Sequence, residues 1–166
     1  MIFRIGIGQD SHRIKAYDLE NKNQKPLILA GILIDKTIKI EADSDGDMII
    51  HSLCNALNTA MGLGSFDAYS GPLCKQGITD SREYLKAALK KIQKKSFKIN
   101  NVAIMVEAGQ PRLEKHREKI TESLANLLNI KKENIGIAFT SGDKLTNFGQ
   151  GEGIQVWSTV TLIGKK

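Results

Sequence analysis

The chain has few cysteines, few aromatic residues and no long apolar run, and each shortage removes a class of protein. Two cysteines in 166 residues, Cys54 and Cys74, cannot build a disulfide framework. Cys54 falls in an apolar helical pattern and reads as a small core residue. The expected setting is therefore reducing and cytoplasmic. Aromatic residues are 5% of the chain, which supplies few bases' worth of stacking platform for a nucleic-acid binder. The longest apolar runs, residues 27–33 and 99–106, fall far below the ~20 residues a membrane span needs. Residues 1–8 read as a strand and lack the basic start and cleavage site of a secretory signal. Internal repeats and low-complexity tracts are also missing.

What is present is ordinary for a globular protein: 41% hydrophobic and 25% charged residues. The length predicts one domain over residues 1–166, able to bury roughly 70% of its unfolded surface. The net charge is +6, with much of the excess in residues 81–120. There Lys86, Lys90, Lys91, Lys94 and Lys95 alternate with apolar residues at helical spacing, the pattern of a solvated helix face. Neither nucleic acid nor a membrane is an expected partner, whereas an anionic small substrate would be steered by such a surface.

Hydrophobic periodicity gives the elements. A strand over 2–9 ends in Gly8-Gln-Asp10-Ser-His12, and residues 15–26 are polar and lysine-rich, hence a loop. A hairpin turns at Gly31, with Ile38 and Ile40 as a short return. Residues 41–47 are acidic and small and predict an exposed loop. Asp47 then caps a helix over 48–61, whose apolar positions Ile49, Ile50, Leu53, Ala56, Leu57 and Ala60 have the 3.6-residue period. A Gly/Ser/Pro segment follows to Thr79, and Asp80 with Glu83 has capping-box spacing for a second helix. A strand at 102–106 precedes a third helix with Pro111 in its first turn, and strands at 135–139 and 154–163 close the chain. The expected fold is α/β, an α+β two-layer sandwich with a mixed sheet and three helices on one face. The uncovered sheet face calls for burial in an oligomer.

Only three histidines are present, and two stand beside carboxylates. On an extended segment residues i and i+2 share a side, so Asp10 and His12 can face one ion. His51, in the first turn of the Asp47-capped helix, can close the set. Two imidazoles and a carboxylate leave a fourth position open, the arrangement of a catalytic rather than structural zinc. His116 sits in a charged helical stretch and reads as a surface residue. Thr140-Ser141-Gly142-Asp143-Lys144 follows a strand, where hydroxyls and backbone N–H groups can hold phosphate oxygens and Asp143 a Mg²⁺. The same residues also suit an ordinary Thr/Ser/Gly turn. Gly149-Gln-Gly151-Glu-Gly153 precedes a strand and opens no helix, which excludes a dinucleotide fingerprint. Its glycines serve close backbone approach.

Taken in order, these motifs resemble those of the methylerythritol cyclodiphosphate synthase family: Gly8-Gln-Asp10-Ser-His12, Ser44-Asp-Gly-Asp47-Met-Ile-Ile-His51, Gly-Gln-Pro111-Arg-Leu113, Thr140-Ser-Gly-Asp143-Lys-Leu145 and Gly151-Glu-Gly153. Five collinear matches across the chain support one another. The resemblance implies that Asp10, His12 and His51 bind Zn²⁺ or another divalent transition metal, and that Mg²⁺ or Mn²⁺ joins them. It implies that Ser44, Thr140 and Ser141 hold a diphosphate, with Asp143 where the family has Glu. Ala108, Pro111, Arg112 and Leu113 would then form a cytosine pocket, with Arg112 replacing Lys. A homotrimer with sites between subunits is implied, as is the reaction: CDP-methylerythritol 2-phosphate yields the 2,4-cyclodiphosphate and CMP. Such transfer asks for positioning and charge neutralisation more than for a covalent nucleophile.

Further positions depart from the family pattern. Asp43 stands where the family has a histidine thought to stabilise the transition state, so Asp43, Ser141 and Asp143 are the expected catalytic set. Ser65 aligns with a ribose-binding Asp, which Asp67 replaces from two residues on, and segment 65–72 lacks the motif that contacts the methylerythritol hydroxyls. Gln150 replaces an Arg near the threefold axis. These departures leave two alternatives open: a non-catalytic trimer that binds metal or nucleotide, and a zinc-dependent nucleotide phosphohydrolase.

Overall fold

Two glycines decide how the central layers meet. On β1 (Ile2–Lys15), a Cβ at Gly6 would lie 1.9 Å from the Ala56 carbonyl oxygen, and one at Gly8 2.0 Å from that of Ser52. Helix α1 (Met48–Ala60) therefore rests directly on the strand backbone. This contact is seen in a computed structural model that describes residues 1–15 and 24–164. Strand β1 is longer than expected because its pairing with β6 (Gly153–Gly164) runs on to Arg13↔Gly153. Asp10 and His12 consequently sit inside a strand rather than beyond its end.

The hairpin at Gly31 joins β2 (Gln24–Leu29) to β3 (Ile32–Glu41), one continuous strand rather than a short return. Of the polar loop expected over 15–26, residues 16–23 lie outside the described residues; Lys15 and Gln24 to Pro26 are already strand. After α1 come α2 (Asp67–Lys75), α3 (Ser81–Lys94), β4 (Phe97–Glu107), α4 (Arg117–Leu128) and β5 (Ile135–Thr140), then β6. The mixed sheet has the order β2-β3-β1-β6-β4-β5, with β4 and β5 parallel and the other neighbours antiparallel. Ile49, Ile50, Leu53 and Leu57 of α1, Leu85 and Ile92 of α3, and Ile120 and Leu124 of α4 share one buried core with Val102, Val106, Val156, Val160 and Leu162. Among the described residues, no helix is long and apolar enough to cross a membrane.

Three expectations are corrected. The described residues hold four α-helices, not three, because the Gly/Ser/Pro segment contains α2. Pro72 lies inside it and only Ser70 is buried, so the segment carries almost no helical signal of its own; Phe66, packed on His51 and Tyr84, anchors its start. Loop 41–47 is not exposed as a whole. Asp47 is fully buried and accepts hydrogen bonds from the N–H groups of Ala30 (2.9 Å), Gly31 (2.6 Å) and Ile50 (3.0 Å), so it caps α1 and fastens the hairpin turn to it. Burial pushes its carboxyl up to about 6. Pro111 does not open the third expected helix. Gly109 N–H donates to the Phe148 carbonyl (2.8 Å) and holds that segment against the 147–151 loop, and α4 begins at Arg117.

Candidate metal centre and two flanking clefts

Strand alternation puts Asp10 and His12 on the face that carries Gly6 and Gly8, toward α1. One turn inside α1, His51 points back at them. His51 Nδ1 lies 3.0 Å from Asp10 Oδ2 and His12 Nε2 lies 3.4 Å from the same oxygen. One ligand atom from each residue falls within 4.8 Å of the others. Each imidazole is held by its far nitrogen: His12 Nδ1 is 3.1 Å from the Glu41 carbonyl, and His51 Nε2 is 2.7 Å from Ser81 Oγ. His12 Nε2 is shielded from solvent and has no hydrogen-bond partner among the described residues. A buried nitrogen without a partner, facing a carboxylate and a second imidazole, is what a divalent metal would satisfy. The residues fit that group.

Charge within the cluster outweighs desolvation. Burial alone would raise Asp10, but the close His12 and His51 imidazoles and their charges hold the carboxyl below its usual range. Burial would lower His12, yet the Asp10 carboxylate and the Glu41 carbonyl raise it above the ordinary imidazole value.

The cluster opens into a cavity of about 580 Å³. Its wall brings together the metal candidates, Asp43, Ser44 and Asp67, with Phe66, Ser70, Cys74, Lys75 and Tyr84. Lys75 is the one lysine or arginine among these described residues, set against Asp10, Asp43 and Asp67. Ser65 stays outside the wall, donating to Asp67 Oδ2 at 2.7 Å. Sequence reasoning missed Lys75, Ser70 and Cys74 because they come from α2, and it missed Ser81 because only the docking of α3 brings it to His51.

The other expected residues gather elsewhere. A second cavity, about 340 Å³, is lined by Ala108, Pro111, Arg112, Leu113, Thr140 and Ser141, with Lys144 as an unforeseen cation. Thr140 Oγ1 accepts from Gly142 N–H (3.0 Å), and Asp143 and Lys144 follow at φ values of 50° and 61°. Asp143 and Gln150 line neither cavity; Gln150 Nε2 donates to the Lys144 carbonyl at 3.2 Å. The glycine loop makes the close approaches expected of it: a Cβ at Gly149 would lie 2.2 Å from the Ser141 oxygen. Within this chain, the metal candidates and the hydroxyl turn thus belong to different clefts.

Fold and site together define a mixed-sheet α/β protein with a candidate metal triad of two histidines and one carboxylate. Residues 3–163 match the YgbB family, and the chain belongs to that family. A curated relative, the 2-C-methyl-D-erythritol 2,4-cyclodiphosphate synthase of Chlamydia muridarum, is 39% identical over 163 residues, covering 98% of this chain and 89% of its own. The solved structure of the synthase of that name from Plasmodium vivax superposes with a TM-score of 0.82 at 28% identity, covering 99% of each chain. A structure of IspF from Plasmodium falciparum in complex with CDP gives a TM-score of 0.82 at 29% identity, over 99% of this chain and 97% of the other.

Proposed function

We infer that this chain has 2-C-methyl-D-erythritol 2,4-cyclodiphosphate synthase activity, a CMP-forming phosphorus–oxygen lyase reaction of non-mevalonate isoprenoid biosynthesis. The observation that carries this is the Asp10–His12–His51 cluster, opening on a cavity of substrate size in a chain that matches the family nearly end to end. In the reaction, an oxygen of the substrate's 2-phosphate attacks the β-phosphorus of its CDP group. The bond to CMP breaks, and the ring closes without water entering.

Asp10, His12 and His51 would hold Zn²⁺ or a similar divalent metal and Asp143 would support Mg²⁺ or Mn²⁺, and the chemistry such cations would supply is neutralisation of the diphosphate charge. The first cleft needs that charge, since Asp10, Asp43 and Asp67 outnumber Lys75 there. Ser44, Thr140 and Ser141 bind phosphate oxygens, and Asp43 faces the reacting diphosphate. Ala108, Pro111, Arg112 and Leu113 receive the cytosine, and Asp67 with Ser65 the ribose. Gln150 stands near the subunit axis. Holding both ends of one substrate raises the effective concentration of the attacking phosphate.

The split of these residues between two clefts supports a site completed between protomers of a homotrimer, each a single 1–166 domain in a reducing, cytoplasmic setting. The test is phosphorus NMR of purified protein with CDP-methylerythritol 2-phosphate, Mg²⁺ and Zn²⁺ in ¹⁸O-water. CMP with an unlabelled cyclic diphosphate is expected. Labelled linear phosphate would instead establish a phosphohydrolase, and unchanged substrate with folded, metal-loaded protein a non-catalytic binder.

A further inference from the structure

His51 is held by a chain of hydrogen bonds whose direction is fixed by proton counting. The Asp45 carboxylate accepts from Ser81 N–H (Oδ2, 3.0 Å) and from Asp47 N–H (Oδ1, 3.2 Å). It also accepts the Ser81 hydroxyl proton in a short contact at Oδ1. A serine hydroxyl has one proton to give. Spent on Asp45, that proton cannot also go to His51, so at 2.7 Å Ser81 Oγ can only accept, and His51 Nε2 must carry a hydrogen. Ser44 Oγ, 3.4 Å from the same nitrogen, offers a second acceptor. With the hydrogen on Nε2, the lone pair of a neutral His51 is left on Nδ1, the nitrogen that faces Asp10 and His12.

The chain is built to hold its place. Ser81 is fully buried at the first turn of α3, and Asp45 N–H donates to the Thr79 carbonyl (3.0 Å), so the loop before α1 and the start of α3 are clamped at two points. We propose that Asp45 and Ser81 are positioning residues that fix the His51 tautomer and ring orientation for metal binding through Nδ1. This rests on the reading of Asp10, His12 and His51 as metal ligands. It assigns work to two residues that touch neither metal nor substrate.

The proposal predicts how substitutions act. Ser81→Ala removes the acceptor. Asp45→Asn keeps the shape but can present an N–H₂ group to Ser81 Oγ, which frees the hydroxyl proton for His51 Nε2 and drives the imidazole hydrogen onto the metal-binding nitrogen. Loss of such outer partners typically weakens metal affinity about 10- to 100-fold.

The experiment uses ¹¹³Cd as the metal and ¹⁵N-histidine-labelled full-length protein. In the wild type, cadmium–nitrogen coupling is expected at Nδ1 of His51, with a slowly exchanging hydrogen on Nε2. Coupling at Nε2 overturns the proposal, and this readout needs no variant to fold. Cadmium titration of Ser81→Ala and Asp45→Asn, with circular dichroism to show they are folded, should give at least tenfold weaker binding, with faster exchange of the Nε2 hydrogen in Ser81→Ala and its loss from Nε2 in Asp45→Asn. Folded variants with wild-type affinity and exchange overturn the positioning role while leaving the metal site standing. Failure of the wild type to bind cadmium overturns the metal reading itself.

Discussion

At position 43 a carboxylate lines the same cleft as Asp10 and Asp67. A diphosphate brought to about 4 Å from it would meet roughly 1 kcal/mol of repulsion even in a water-like medium. Asp43→His removes that charge and is expected to keep turnover or raise it, with the gain of several-fold falling on KM. Steady-state CMP release measures this; a collapse of kcat would give Asp43 a task of its own. The contrast with the metal cluster shows what a sequence makes legible at this scale. Asp10, His12 and His51 could be read together because their geometry is local, two residues along a strand and one turn from a helix cap. Asp45, Ser81 and Lys75 could not be read, since their places depend on where α2 and α3 dock.

Helices with strong signals at both faces and caps were legible to within a residue or two. Asp47 caps α1 through Ile50 N–H and Asp80 caps α3 through Arg82 N–H (2.9 Å), as their spacing predicted. Helix α2 was hidden because its sequence has neither a cap nor an apolar stripe, and its stability comes from Phe66, Tyr69 and Leu73 packing on elements distant in sequence. Asp80 allows a test of the capping argument. Asp80→Ala should cost about 1 kcal/mol at pH 7, read as a lower urea midpoint. Hydrogen bonding to Arg82 holds the Asp80 carboxyl below its ordinary value of 3.8. A depressed carboxyl contributes stability that is complete above the unfolded value and lost as pH falls through the folded one. The gap between wild type and Asp80→Ala should therefore be constant from pH 7 to 5 and shrink below pH 4. A gap unchanged at pH 3 would assign the effect to the uncharged cap alone.

The whole molecule is one-sided. Helices bury Val156, Val160 and Leu162 of β6, while the opposite sheet face leaves Phe3 62%, Ile5 72% and Ile7 55% exposed, beside Met105 and Trp157. Because Met105 and Trp157 are register partners and Ile5 and Ile7 oppose Thr161 and Thr159, these side chains form one apolar surface rather than scattered exposures. Such a surface on a three-strand front marks an association site. The sequence made the one-sidedness legible through strand alternation, but not the division of the site residues between two clefts, which only the folded chain reveals. That division separates two properties of the molecule. The candidate metal ligands all come from one chain, whereas in the proposed trimer joining the phosphate turn to that cluster takes two. Ile5→Lys, on the open face and away from both clefts, should therefore convert the proposed trimer to monomers, read by size exclusion with light scattering. It should abolish CMP formation and leave zinc stoichiometry and the circular dichroism spectrum unchanged. A variant that stays trimeric and active would move the interface off this face; one that is monomeric and still active would place the complete site within a single chain.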